Sequence, residues 1–124
     1  MNNISITATK HTPEIKIDIS KGLFSIKGRS LAEDSVDFYS NIFSFLKEYY
    51  LNPCQLTTFE MTFEYLNSTS LKLIIDLIVT AKKLTVAPNK VEFKWFYEED
   101  DDDILMTGNE IERITGIPIE FEPY

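Results

Sequence analysis

The sequence predicts an α/β domain: one mixed sheet, with elements in the order β-β-α-β-α-β-α-β and all helices packed on one face. Three observations carry this. Strand-like and helix-like segments alternate, and helical crossovers between strands imply parallel pairing with right-handed connections. The strands alternate apolar residues with Glu, Lys or Thr, whereas a parallel sheet covered on both faces runs continuously apolar, so one face here packs and the other meets water. The chain has 124 residues, 44% hydrophobic and 26% charged, which suits one core and is too short for two comfortable ones.

Residues 1–12 are polar and aperiodic and read as a flexible leader, leaving 13–124 as a single domain. Ile15, Ile17 and Ile19 alternate with Glu14, Lys16 and Asp18. After the turn Lys21-Gly22, the segment from Leu23 to Lys27 completes a hairpin. Glu33, Asp34 and Ser35 offer helix-start chemistry, since acids favour the positive end of a helix and Asp or Ser can cap it. Val36, Tyr39, Ile42, Phe43, Leu46 and Tyr50 then recur at helical spacing until Asn52-Pro53. A second stripe, Phe38, Phe45 and Tyr49, makes the apolar face wider than contact with one sheet requires.

The clearest strand follows, with Phe59, Met61, Phe63 and Tyr65 alternating with Glu60, Thr62 and Glu64. A small-polar junction, Asn67-Ser68-Thr69-Ser70, opens a helix whose apolar positions are Leu71, Ile74, Ile75, Ile78 and Ala81. Pro88-Asn89 breaks the chain before a strand through Val91, Phe93, Trp95 and Tyr97. A short helix from Ile104 to Thr115, closed by Gly116, and a last strand from Ile117 to Glu122 complete the order.

Net charge is −8, and six consecutive acids, Glu98 to Asp103, supply most of it. With no basic stripe, nucleic acid and anionic membrane are poor partners, because neutralising phosphates needs clustered Lys and Arg. No signal-peptide pattern opens the sequence and no apolar run approaches the roughly 20 residues that span a bilayer, so a soluble cytoplasmic protein is expected. With one histidine, His11, and one cysteine, Cys54, no nucleophile-base arrangement is expected. The four glycines fit no phosphate-cradling loop, and no cofactor is expected. The acidic run lacks the spacing of a calcium loop and reads as a solvated segment whose last members favour the start of the next helix, the alternative being a metal site.

The informative element is the junction Asn67-Ser68-Thr69-Ser70. Hydroxyls there can simply cap the helix. They can also accept a phosphate, which at a helix N-terminus meets unpaired amides and the positive dipole end and adds a concentrated negative charge.

The stretch from Glu64 to Lys72, Glu-Tyr-Leu-Asn-Ser-Thr-Ser-Leu-Lys, resembles the central motif of the SiaC family of bacterial regulatory phosphoproteins. In that family Tyr-Leu-Asn precedes a phosphorylatable Thr or Ser. Two further segments agree. Gly28-Arg29-Ser30-Leu31-Ala32-Glu33-Asp34 is similar to a family Gly-x-Ser-Tyr-Pro-Glu-Asn stretch, with Leu31-Ala32 where Tyr-Pro is usual. Lys94-Trp95-Phe96-Tyr97 with its acidic run is similar to a Trp-x-Tyr-acidic segment.

The resemblance implies a STAS-like fold and a non-enzymatic partner switch. A Ser/Thr kinase phosphorylates the protein at Ser68, with Thr69 as the alternative, and a PP2C-type phosphatase reverses this. The unphosphorylated form binds and activates a diguanylate cyclase, with cyclic di-GMP as the output. Tyr65, Leu66, Asn67, Ser70 and Lys72 are the expected partner-binding residues around the phosphosite. Phe38 and Phe45 are expected to add apolar docking area, the alternative for that stripe being core packing or a homodimer contact. Two other functions stay open: a STAS-type anti-sigma-factor antagonist, and a small metal- or ligand-binding domain using the acidic loop.

Overall fold

A computed structural model describes residues 2–31 and 35–124. Its strands are β1 (Ile4–Ile6), β2 (Glu14–Asp18), β3 (Leu23–Ser30), β4 (Leu56–Leu66), β5 (Lys90–Tyr97) and β6 (Glu120–Pro123). Its helices are α1 (Ser35–Tyr49), α2 (Ser68–Leu84) and α3 (Asp102–Thr115). The six strands form one mixed sheet in chain order, with β1, β2 and β3 antiparallel and β3 through β6 parallel. Each parallel crossover is a helix.

The one-faced sheet follows from the alternation. The register aligns Ile17 with Phe24, Phe24 with Phe59 and Phe59 with Phe93, and one step on it aligns Ile15, Ile26, Met61 and Trp95. All of these are buried beneath the helices, with Tyr39, Leu46, Ile74, Leu77, Ile78 and Ile111 facing them. The opposite face carries Lys16, Ser25, Glu60, Lys94 and Glu120 side by side across five strands. The stacked rings of Phe24, Phe59 and Phe93 run across the sheet with centroids 4.7 and 5.4 Å apart.

Several expectations are corrected. The segment read as a flexible leader contains β1, a short edge strand whose Ile4 pairs with Ile17, so the element order gains a strand. The chain between β1 and β2 is also tied down, by Leu31 N–H donating to the His11 carbonyl at 2.8 Å. The start signals Glu33 and Asp34 lie outside the described residues. On α1 the buried side is Tyr39, Ile42, Leu46 and Tyr49, while Val36 is exposed, so Tyr49 belongs to the core and not to the second stripe. Its hydroxyl bonds Thr57 Oγ1 at 2.8 Å, which satisfies a buried phenol. The last strand begins at Glu120, not Ile117.

Candidate functional site

At the carboxyl ends of β3 and β4 the sheet hands over to α2 through a single residue. Asn67 has extended backbone (φ −82°, ψ 171°). Its amide donates to the Ser30 carbonyl at 3.1 Å, pinning the junction to the end of β3. Its side-chain Oδ1 accepts from Ser70 N–H at 2.8 Å, and its carbonyl accepts from Leu71 N–H at 2.9 Å. The cap is therefore an amide oxygen rather than a hydroxyl, and neither Ser68 nor Thr69 takes part in it. These two residues occupy the first two helical positions, where backbone amides have no carbonyl four residues back to bond.

Three neighbouring hydroxyls thus separate in space. Ser68 and Thr69 are exposed, whereas Ser70 is fully buried. Ser70 Oγ accepts from Ser30 Oγ at 2.7 Å and lies 3.2 Å from Ser35 Oγ; Ser30 Oγ in turn meets the Tyr39 hydroxyl at 2.8 Å. This buried cluster joins the end of β3, the start of α1 and the start of α2. Burial pushes the Tyr39 phenol up to about 12, the bond to Ser30 acting the other way. Ser70 is accordingly removed from the docking surface expected for it. The sequence carries no local sign of this, since Ser30 and Ser70 lie forty residues apart.

Tyr65 is re-aimed by a β-bulge. Gly28 pairs with Phe63 but Arg29 with Tyr65, so Glu64 has no partner across the ladder. Gly28 sits at the shift with φ +127°, a conformation that side chains rarely adopt. Strict alternation places Tyr65 inside with Phe63; after the bulge Leu66 takes the inward place beside Ser30, and Tyr65 is 54% exposed. Arg29, opposite Tyr65, is exposed and is a member of this surface that sequence reasoning missed.

Lys72 is exposed one turn beyond Ser68, on the same helix face. The first turn of α2 contains no acid, whereas that of α3 contains Asp102 and Asp103 behind an Asp101 cap, whose Oδ1 accepts from Ile104 N–H at 3.1 Å. The last three members of the acidic run are thereby explained as the start of α3. Among the described residues no group of three or more His, Cys, Asp or Glu is placed to hold a metal ion.

Phe38 and Phe45 are half-buried. Phe38 lies edge-on to Tyr39, with centroids 5.2 Å apart. Phe45 sits well along α1 in a groove shared with Ile4, Ile6, Ile15 and Ile17, so the extra width of the α1 apolar face serves β1. The structure thus leaves Tyr65, Ser68, Thr69 and Lys72 exposed on either side of the junction at Asn67 and places Phe45 elsewhere.

The model of the SiaC family regulatory phosphoproteins matches residues 6–124. The chain belongs to this family. It is similar in structure to SiaC of Pseudomonas aeruginosa, with a TM-score of 0.87 and 19% identity over the whole of both chains. A structure of the diguanylate cyclase SiaD in complex with its activator SiaC from the same organism matches at 0.82 and 22% identity, covering 98% of this chain and 99% of that one. At these identities the structures show a shared fold. Among curated sequences, an uncharacterized protein of Pseudomonas aeruginosa strain UCBPP-PA14 is 19% identical over 124 residues, covering all of this chain and 98% of that protein. As a member of the family, the chain is a regulatory phosphoprotein. No helix among the described residues is long and apolar enough to cross a membrane.

Proposed function

We propose that this protein is a non-enzymatic, cytoplasmic switch in bacterial cyclic di-GMP signalling. Unphosphorylated, it binds and activates a diguanylate cyclase. A Ser/Thr kinase modifies Ser68, or Thr69 in its place, and a PP2C-type phosphatase restores the binding form. One observation carries this reading: two exposed hydroxyls stand at the first positions of a helix whose cap is already made by Asn67 and whose first turn lacks an acid. The family's description as regulatory phosphoproteins, and the SiaD–SiaC complex of Pseudomonas aeruginosa, support the partner class.

The chemistry is local. A phosphate on Ser68 carries roughly −1.5 to −2 charges at neutral pH. It finds the unpaired amides of the first turn, the helix dipole and Lys72, so the folded domain accepts it without rearrangement. Docked against a partner surface built for a neutral hydroxyl, the same dianion loses its hydration. Each 1.4 kcal/mol of that penalty weakens affinity about tenfold.

The test is calorimetric titration of a purified diguanylate cyclase from the same genome with wild-type protein, Ser68→Asp, Thr69→Asp and the enzymatically phosphorylated form. Phosphopeptide mass spectrometry identifies the modified hydroxyl. The expected outcome is at least a tenfold loss of affinity in the phosphoprotein and in the Asp variant at the modified position, with the unfolding midpoint nearly unmoved. Equal binding by all four forms refutes the switch.

A further inference from the structure

Charge is not spread evenly over this acidic molecule. A helix returning between parallel strands runs antiparallel to them, so the ends of α1 and α2 and the starts of β3, β4 and β5 share one pole. At that pole the α1–β4 and α2–β5 connections lie side by side. The Tyr50 hydroxyl bonds Thr85 Oγ1 at 2.8 Å, and Lys90 N–H donates to the Gln55 carbonyl at 2.7 Å. Leu51 and Val86, next in the chain to the bonded hydroxyls, are 85% and 71% exposed, and Leu56, Ala87 and Pro88 are exposed with them. Asn89 N–H donates to the Val86 carbonyl at 3.0 Å, closing a turn that holds Ala87 and Pro88 at its tip.

Lys82, Lys83 and Lys90, all exposed, flank these apolar tips at the end of α2 and the start of β5. Between Glu48 and Glu60, and again between Asp76 and Glu92, the chain carries no acid. Lys47 and Lys21 stand at the rim, each close in the chain to an acid, Glu48 or Asp18. Ion pairs among the described residues engage Lys16, Lys94 and Arg113 and none of the lysines of this pole. The dipole of α2 accounts for Lys82 and Lys83 but not for the apolar side chains left in water beside them. The acidic run lies past the far end of β5, which extends roughly 23 Å from Lys90 to Tyr97 at about 3.3 Å per residue. That exceeds the roughly 8 Å over which physiological salt lets exposed charges act. The net charge of −8 and the lack of a basic stripe, which spoke against an anionic membrane, thus describe the whole chain and not this pole.

We propose that this pole rests on an anionic lipid surface. Leu51, Val86 and Pro88 reach the boundary between headgroups and acyl chains, and Lys82, Lys83 and Lys90 lie over the lipid phosphates. Shape and composition select a bilayer over a protein partner. The patch consists of projecting loop tips, and protein interfaces favour aromatic residues and Arg while disfavouring Lys. Aliphatic tips beside lysines suit a soft, negatively charged surface, where each lysine multiplies attachment roughly fivefold. Such attachment is peripheral and reversible, in keeping with the cytoplasmic location proposed above. β4 runs from Leu56 at this pole to Leu66, roughly 30 Å, so Ser68 stands at the end remote from the lipid and stays within a kinase's reach.

The experiment is co-sedimentation of the purified protein with vesicles of phosphatidylcholine alone and with one-third phosphatidylglycerol. It compares the wild type, Lys82→Gln/Lys83→Gln/Lys90→Gln, Leu51→Ser/Val86→Ser, and Lys10→Gln/Lys16→Gln/Lys27→Gln as a control that removes equal charge elsewhere. Thermal unfolding checks each fold, and the wild type is repeated in about 0.5 M salt, which needs no variant. The wild type is expected to sediment with the anionic vesicles only and to be released by the salt. Partitioning is expected to fall at least tenfold in the lysine variant of the pole and severalfold in the Leu51/Val86 variant, and to stay at the wild-type level in the control. The proposal is overturned by a wild type that does not sediment with anionic vesicles, by wild-type partitioning in either pole variant, or by an equal loss in the control. Each of these results leaves the Ser68 switch standing, since no partner protein takes part.

Discussion

Ser68, Thr69 and Ser70 show how one turn of helix assigns unlike tasks to like side chains. Successive residues project about 100° apart, so three adjacent hydroxyls cannot share a direction. Ser70 turns inward and completes the cluster with Ser30, Ser35 and Tyr39, while Ser68 and Thr69 turn out. Removing the buried hydroxyl deprives its neighbours of a partner with no water to replace it. Ser70→Ala is therefore expected to cost about 1–3 kcal/mol. For a chain of this size that lowers the unfolding midpoint by roughly 3–5 °C per kcal/mol, read by calorimetry. Kinase modification of Ser68 or Thr69 in the folded variant is expected to proceed as in the wild type. An unchanged midpoint shows the cluster to be dispensable.

Elements owe their fit to contacts that single side chains allow. α3 approaches the sheet at Gly108, where a Cβ would stand 2.7 Å from the Trp95 ring and 2.8 Å from that of Phe121. The same approach lets Trp95 Nε1 donate to the Ile104 carbonyl at 2.9 Å, pairing the one polar atom of a fully buried indole. Gly108→Ala gains helix propensity of about 1 kcal/mol but forces α3 off the sheet. Overpacking of this kind costs roughly 1–3 kcal/mol, so net destabilisation is expected, with a shift in Trp95 fluorescence as the indole loses its partner. A variant of equal or greater stability contradicts this account of the α3 contact. Element periodicities were the legible part of the fold. The alternation along β2 to β5 and the helical stripes of α1 and α2 depend on neighbours two to four residues apart. β1 was missed because three residues of edge strand carry too short a pattern, and its counterpart, the surplus width of the α1 apolar face, was visible without its cause.

Across the whole molecule, buried phenols make stability depend on alkaline pH. Tyr39 is pushed up to about 12, and Tyr49 and Tyr50 are raised by burial as well. Above pH 10 the unfolded chain releases phenolic protons that the folded chain still holds, so unfolding becomes more favourable as pH rises. The stability from Tyr39 is fully present below its unfolded value near 10 and is lost as pH climbs through its folded value. For Tyr39 alone the difference is roughly 2–3 kcal/mol. Denaturant midpoints are expected to be flat with respect to these phenols from pH 7 to 9 and to fall from about pH 10, less steeply in Tyr39→Phe. An equal fall in that variant assigns the transition to other groups.

The sequence by itself determined the class of fold, the one-faced sheet, the run of parallel crossovers and the junction that carries the hydroxyls. Each is written in short-range periodicity, in turn chemistry or in a motif. Tertiary structure alone decided which hydroxyl is buried, which way Tyr65 faces, that Asn67 makes the cap, and that Arg29 stands opposite Tyr65. Those outcomes depend on a bulge that shifts register by one residue and on contacts between Ser30, Ser35 and Ser70, which meet only when the β3–α1–β4 crossover has brought three element ends together at the carboxyl end of the central strands.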